Sequence, residues 1–214
     1  MKEDILEQLI EDYYVSMPGW FVKHNIKFRP DKNHKDYNSK KDSVHSDIDI
    51  IALNGFNKSV NRVHIISCKS WQGGFGVKNW LKVLEGEATY NKKDPRKFQK
   101  RESWKAFREL VSDKWIESFL GIIEKETGQK DFTYVIAVTK LKNSNDEDKL
   151  LENSNIIKER FKKKGVKVNI SFLTLESLIN DINNRLKNKE TTVPESTDIG
   201  RIMQLLYAAK IIEN

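Results

Sequence analysis

The stretch Ser46-Asp47-Ile48-Asp49-Ile50-Ile51-Ala52-Leu53, followed by Asn54-Gly55 and then by His64-Ile65-Ile66-Ser67-Cys68-Lys69, reads as two β-strands joined across a turn at 54–61. Strand side chains alternate between faces, so Asp47 and Asp49 share one face, roughly 6.5 Å apart. Ser67 and Lys69 likewise share a face of the second strand, and Ile48, Ile50, Ile66 and Cys68 take the opposite side. Pairing through the turn brings two carboxylates and an ammonium to the end of one hairpin. A carboxylate so placed can hold Mg²⁺, and a nearby lysine can orient or deprotonate an attacking water. The alternation also fits solvent-facing charges on a half-exposed sheet. The buried-type runs Ile50–Leu53 and Val63–Ile66 favour a partner or a metal for the acids beside them.

Outward from this hairpin the chain alternates helices and strands. Residues 3–16 space Ile5, Leu6, Leu9, Ile10, Tyr13 and Tyr14 as a helix, which Met17-Pro18-Gly19 stops. Trp20 to Phe28 predicts a strand. The polar stretch from Arg29 to Ser46, with five Lys or Arg, reads as a long hairpin loop, either a clasp for nucleic acid or a disordered segment. After the loop Ser70 to Gly76, a helix is predicted from about Val77 to Tyr90. Another starts near Arg101 and puts Trp104, Phe107, Val111, Trp115 and Phe119 on one face. Asp131 to Thr139 is a strand of the buried kind, 147–164 a charged helix ended by Gly165, Val166 to Leu173 a strand, and Leu175 to Leu186 a helix. The expected organisation is one α/β domain over 1–187, with a linker and C-terminal helix over 188–214.

The 214 residues are enough for one full-sized domain. Lys plus Arg outnumber Asp plus Glu by 38 to 31, a net charge of +7 that favours a polyanionic partner, nucleic acid first. No window approaches about 18 consecutive apolar residues, so no membrane span is expected. The single cysteine excludes an internal disulfide or a zinc cage, and the opening residues lack the order of a secretory signal; both predict a cytoplasmic protein. The four histidines show no zinc-binding spacing.

An opening helix with a glutamate, three strands carrying Asp on the second and x-Lys on the third, then helix and strand, resembles the PD-(D/E)xK nuclease superfamily. Asp49-Ile50-Ile51-Ala52-Leu53 is similar to the metal-binding strand of archaeal-type Holliday-junction resolvases and related restriction endonucleases. Ser67-Cys68-Lys69 sits where that superfamily has (D/E)-x-Lys. Leu6-Glu7-Gln8-Leu9 resembles its first-helix motif, and Gly19-Trp20 its Gly-aromatic before the first strand. The likeness covers roughly residues 3–140, and it implies a restriction-endonuclease-like αβββαβ core with a mixed central sheet flanked by helices.

By that resemblance Asp49 is the metal-binding acid, Lys69 the catalytic lysine, Glu7 an auxiliary metal or water ligand, and Asp47 an alternative ligand. The implied cofactor is Mg²⁺ or Mn²⁺, and metal and lysine together would stabilise the charge developing on phosphorus. Ser67 replaces the second acid of the motif, and a hydroxyl is a poorer Mg²⁺ ligand than a carboxylate. Some restriction enzymes of the superfamily are similar in having Ser there and taking the acid from the following helix. Here that helix offers Glu85 and Glu87, and Glu87 falls inside the apolar arc of Trp80, Leu81, Leu84 and Ala88.

Lys92 to Arg108 holds eight Lys or Arg against Asp94 and Glu102. Lys97, Arg101, Lys105 and Arg108 follow helical spacing and form a stripe for phosphates directly after the site, with a solvated helix face as the alternative. Trp71 and Gln72, in the glycine-rich loop after Lys69, are placed to stack on or bond a base; Trp71 can as well plug the next helix. The C-terminal helix docks on its own domain or pairs with a second copy, as in nucleases that cut both strands. The expected activity is a metal-dependent endonuclease acting on DNA in restriction or defence. The alternatives are a Holliday-junction resolvase and a nucleic-acid-binding module that keeps the fold without catalysis.

Overall fold

Runs of β-branched and aromatic residues form five strands, and amphipathic segments between them form the helices that cover both faces. The computed structural model describes residues 4–86, 103–142, 147–187 and 197–210. In chain order these form α1 (Ile5–Val15), β1 (Trp20–Phe28), α2 (Ser39–Asp42), β2 (Ser46–Asn54), β3 (Val63–Lys69), α3 (Val77–Glu85), α4 (Arg108–Val111) and α5 (Asp113–Thr127). Then follow β4 (Phe132–Val138), α6 (Glu147–Glu152), α7 (Asn155–Lys162), β5 (Val168–Thr174), α8 (Leu175–Lys187) and α9 (Asp198–Ala208). The strands lie side by side in sequence order. β1, β2 and β3 form an antiparallel meander, and β4 and β5 add in parallel. The chain is thus an α/β protein with a mixed five-stranded sheet flanked by helices.

Two buried layers hold it together. On one face Ile65, Phe132, Tyr134, Ile136 and Val138 of the sheet pack against Leu84, Leu110, Trp115, Phe119, Ile123 and Phe161 from α3, α4, α5 and α7. On the other, Ile50, Ile66, Val135 and Ala137 meet Leu6, Ile10 and Tyr14 of α1, Leu178 and Ile182 of α8, and Met203 of α9. All seven residues of β4 are buried, as its continuous apolar run predicts for a strand covered on both faces. Among the described residues no helix is long and apolar enough to cross a membrane.

The helix expected from about residue 101 is broken. Ser103–Phe107 is a 3₁₀ turn, and Ser112, extended at φ −121° and ψ 119°, separates α4 from α5. Its apolar face survives the break, because Phe107, Val111, Trp115 and Phe119 are all buried together. The helix expected over 147–164 is likewise split, with Ser154 capping α7. Serine favours helix starts, and the Ser154 hydroxyl accepts the Ile157 N–H, which accounts for the second break; Ser112 makes no such side-chain bond.

The polar segment after β1 is fastened to α5. Lys114 Nζ donates to the Asp36 carbonyl at 2.8 Å and to Asp42 Oδ2 at 2.5 Å, and Asp42 Oδ2 also accepts the Asn38 N–H at 2.7 Å. Both side chains of this ion pair are 1% exposed. A lysine and an aspartate taken this far from water persist only when paired and hydrogen-bonded, which fixes the segment in one arrangement.

The expectation that Ile48 and Ile50 share a face does not hold. Ile48 packs with the α5 side of the sheet and Ile50 with the α1 side. Between them Asn25 of β1, which the register sets opposite Asp49, adopts the left-handed conformation at φ 55°. This kink turns the strand pair over at that point, as bulged or left-handed residues do in antiparallel ladders.

Candidate active site

The kink coincides with a fork in the sheet. Pairing of β2 with β3 ends at Ile50 opposite Ile66, whereas β2 stays paired to β1 as far as Ser46 and β3 to β4 as far as Lys69. In the fork the Asp49 carboxylate stands in for the missing strand partner: its Oδ2 accepts the Cys68 N–H at 2.6 Å. The same oxygen lies 3.8 Å from Lys69 Nζ. The Lys69 ammonium also lies 5.2 Å from the centre of the Phe107 ring, whose negative face favours a cation there. The Ser67 hydroxyl lies near enough to lower the Asp49 carboxyl against the effect of burial.

Helix α1 brings Glu7 to this point. Asp4 caps the helix by accepting the Leu6 N–H at 2.9 Å, and its other oxygen is bonded by the Ser70 hydroxyl, one residue beyond Lys69. Glu11, one turn on, pairs instead with His24 at 3.2 Å. Burial pushes the Glu7 carboxyl up to about 7, and Asp49, Asp4 and Asp47 push in the same direction against the pull of Lys69. Burial also raises Asp49, opposed by Lys69, the Cys68 N–H and the Ser67 hydroxyl. Acids beside one another and half out of water hold an excess of negative charge that a cation would relieve. The Cys68 thiol is pushed up by burial and by Asp49 and Glu7, so it is no nucleophile.

Two residues that sequence reasoning missed lie directly beneath. Glu109 of α4 and Tyr134 of β4 are both buried, with Glu109 Oε1 and the Tyr134 hydroxyl 2.5 Å apart. Burial raises both groups, and Glu109 senses Lys69 and Asp49 through space. The signal was an acid set between Phe107, Leu110 and Val111, and one phenol in an otherwise apolar strand. Arg160 of α7 steadies this region by donating to the Leu110 carbonyl at 3.0 Å and to the Glu85 and Gly86 carbonyls at 2.5 and 2.9 Å.

The fork therefore brings together Asp49, Lys69, Ser67 and Glu7, with Asp47 exposed on the approach. Glu85 accepts the Ser154 hydroxyl at 2.7 Å, tying α3 to the start of α7. Glu87, Lys97 and Arg101 lie outside the described residues. Trp71 is half-buried against the core and stacked on Trp80 and Phe75, at ring distances of 5.0 and 5.9 Å; Gln72 is exposed. Their loop is pinned where Phe75 N–H donates to the Lys140 carbonyl at 2.8 Å and Lys142 N–H to the Phe75 carbonyl at 3.0 Å. Gly74, at φ +75°, allows that contact, since a Cβ there would meet the Lys140 carbonyl oxygen at 3.1 Å. Lys105 lies 6.0 Å from the Trp104 ring, and the Arg108 guanidinium packs over Trp115 at 4.7 Å.

Glu7 and Asp49 are hard oxygen donors in a negatively charged recess, which is the chemistry Mg²⁺ requires. Among the described residues no three His, Cys, Asp or Glu side chains converge as a cage. The chain matches no family model, no curated protein and no solved structure.

Proposed function

We propose that this protein is a Mg²⁺-dependent endonuclease hydrolysing phosphodiester bonds of DNA, of the restriction or defence type, built on the PD-(D/E)xK pattern. The observation that carries this reading is the fork, where Asp49 and Lys69 from adjacent strands meet at 3.8 Å and α1 adds Glu7. Asp49 and Glu7 would hold the metal, which when bound polarises a phosphate oxygen and acidifies a coordinated water. Lys69 offsets negative charge growing on the scissile phosphate, and the Cys68 N–H keeps the Asp49 carboxylate turned outward. Gln72, Lys105 and the basic run before Arg108 would track the strand, and a second copy would serve the opposite strand.

Ser67 favours the second reading, a DNA-binding module without catalysis, because β3 lacks the acid that would complete the motif. Cleavage of plasmid, branched and single-stranded DNA with Mg²⁺ or Mn²⁺ separates the two. Asp49→Ala and Lys69→Ala are expected to lower the rate by about 10²-fold or more while leaving salt-sensitive DNA binding in place. A well-folded wild type that leaves every substrate intact overturns the nuclease reading. Retained binding then favours the module.

A further inference from the structure

The glycine-rich loop that follows Lys69 is shaped around two lysines with no part in the fork. Phe75 pairs in parallel with Leu141, so that the loop is bonded to the chain on both sides of that residue, at Lys140 and at Lys142. This bridge lies just past the ends of β3 and β4, because Lys69 stands opposite Val138 in the register. The two lysine stems cross the loop at its glycines. A Cβ at Gly74 would meet Lys140 Cγ at 3.1 Å and Lys142 Cγ at 3.4 Å, and a Cβ at Gly76 would meet Lys142 Cδ at 3.5 Å. Trp71, Phe75 and Trp80 stack on one another and make this loop a stiff support. Both lysines are exposed, and among the described residues neither ammonium has a hydrogen-bond or ion-pair partner. Residues 70–84 and 132–145, the two segments that meet at the bridge, carry Lys78, Lys82, Lys140 and Lys142 and no Asp or Glu. The acids of the fork, Asp47, Asp49 and Glu7, come from β2 and α1 instead. Negative and positive charge are therefore sorted onto different elements around one recess, an arrangement suited to a cation in the recess and an anion on its rim.

We propose that Lys140 and Lys142 bind two backbone phosphates of duplex DNA beside the fork, a sequence-independent grip that holds the strand at the recess. An ammonium without a carboxylate partner gives up no ion pair when a phosphate arrives. Stems already laid against a stiff loop also lose less freedom on binding than lysines extended into water. Each phosphate so neutralised releases condensed counterions, and the grip is therefore read in the salt dependence of binding. The grip rests on the reading of the partner as DNA; it does not rest on cleavage.

The test is binding of the full chain to a short duplex DNA without divalent metal, followed by fluorescence anisotropy between about 50 and 200 mM salt. The Lys140→Gln, Lys142→Gln double variant is expected to flatten the slope of log affinity against log salt by about 1.8, at about 0.9 for each phosphate contact, and to weaken binding at least about tenfold. Lys140→Arg with Lys142→Arg is expected to keep the wild-type slope, because the charge is retained. The control is Lys163→Gln with Lys167→Gln, the same change of charge on two exposed lysines before β5, at the opposite end of the parallel strands. Its slope is expected to stay within about 0.5 of wild type. A slope unchanged in the Lys140, Lys142 variant overturns the proposal. So does an equal fall in the control, which would make the effect one of net charge alone, and so does a wild type that binds no DNA. Wild-type protein that shows the expected slopes without cleaving DNA leaves the grip standing and removes only the nuclease reading. Cleavage by the wild type with an unchanged slope in the Lys140, Lys142 variant removes only the grip.

Discussion

Glu7 and His64 make opposite demands on the folded chain as pH changes. The Glu7 carboxyl moves from 4.5 to about 7 on folding, so the native state binds a proton there that the unfolded chain releases. Stability from this group falls as pH rises across that interval. His64, half-buried and bonded through Nδ1 to the Tyr14 hydroxyl at 2.8 Å, drops to about 4 from 6.5 by loss of solvation. Its folded state resists protonation, so stability falls as pH is lowered through that range. The two slopes oppose each other in the wild type. Glu7→Gln removes the Glu7 slope and is expected to make the denaturation midpoint rise more steeply between about pH 4 and 6.5 than in the wild type. Midpoints that vary with pH identically in wild type and variant would show that Glu7 is not held out of water. Sequence alone could not separate Glu7 from Glu3 and Glu11, since helical spacing puts all three on one surface. The cap at Asp4 and its bond to Ser70 make the difference, and that contact spans 66 positions.

Among the elements, the fastening of the segment between β1 and β2 is the clearest contributor to stability. Lys114→Met removes the partner of a fully buried Asp42, and such one-sided losses cost about 3–5 kcal/mol. The Lys114→Met, Asp42→Leu double variant is expected to recover much of that loss, because no charge is then left alone in the core. Urea unfolding of the singles and the double checks both statements. An equal loss in the double would place the effect in packing instead. The sequence makes this segment polar and lysine-rich, and composition cannot tell a fastened loop from a loose one; the partner of Asp42 is 72 residues away. The helix breaks at Ser112 and Ser154 were legible in principle, as Ser-Asp and Asn-Ser starts, but the continuous apolar face across them dominates any periodicity reading.

At the scale of the whole molecule, the pairing of β2 with β3 and the meeting of Asp49 with Lys69 were readable, because adjacent strands joined by a short turn pair with each other. The turning-over of β1 and β2 was not, since it depends on one asparagine taking a left-handed conformation opposite Asp49. Nor was Glu109, which reaches the site only after the chain crosses from α4 through α5 into β4. Helix α9 belongs to the same body: Met203 is 3% exposed and packs with Leu6 and Ile10 of α1. Met203→Ala is expected to cost about 2 kcal/mol, the lower end for a buried methionine, read from the urea midpoint. A midpoint unchanged by that substitution would mean that α9 is carried passively. The kink at Asn25 has one more effect, on what the protein does in a crowded solution. Among the described residues β1 is an edge of the sheet, and a long flat edge is a template on which another chain can add a strand. A β-branched residue at position 25 would straighten that edge and invite aggregation, whereas the left-handed asparagine bends it out of register with any straight newcomer.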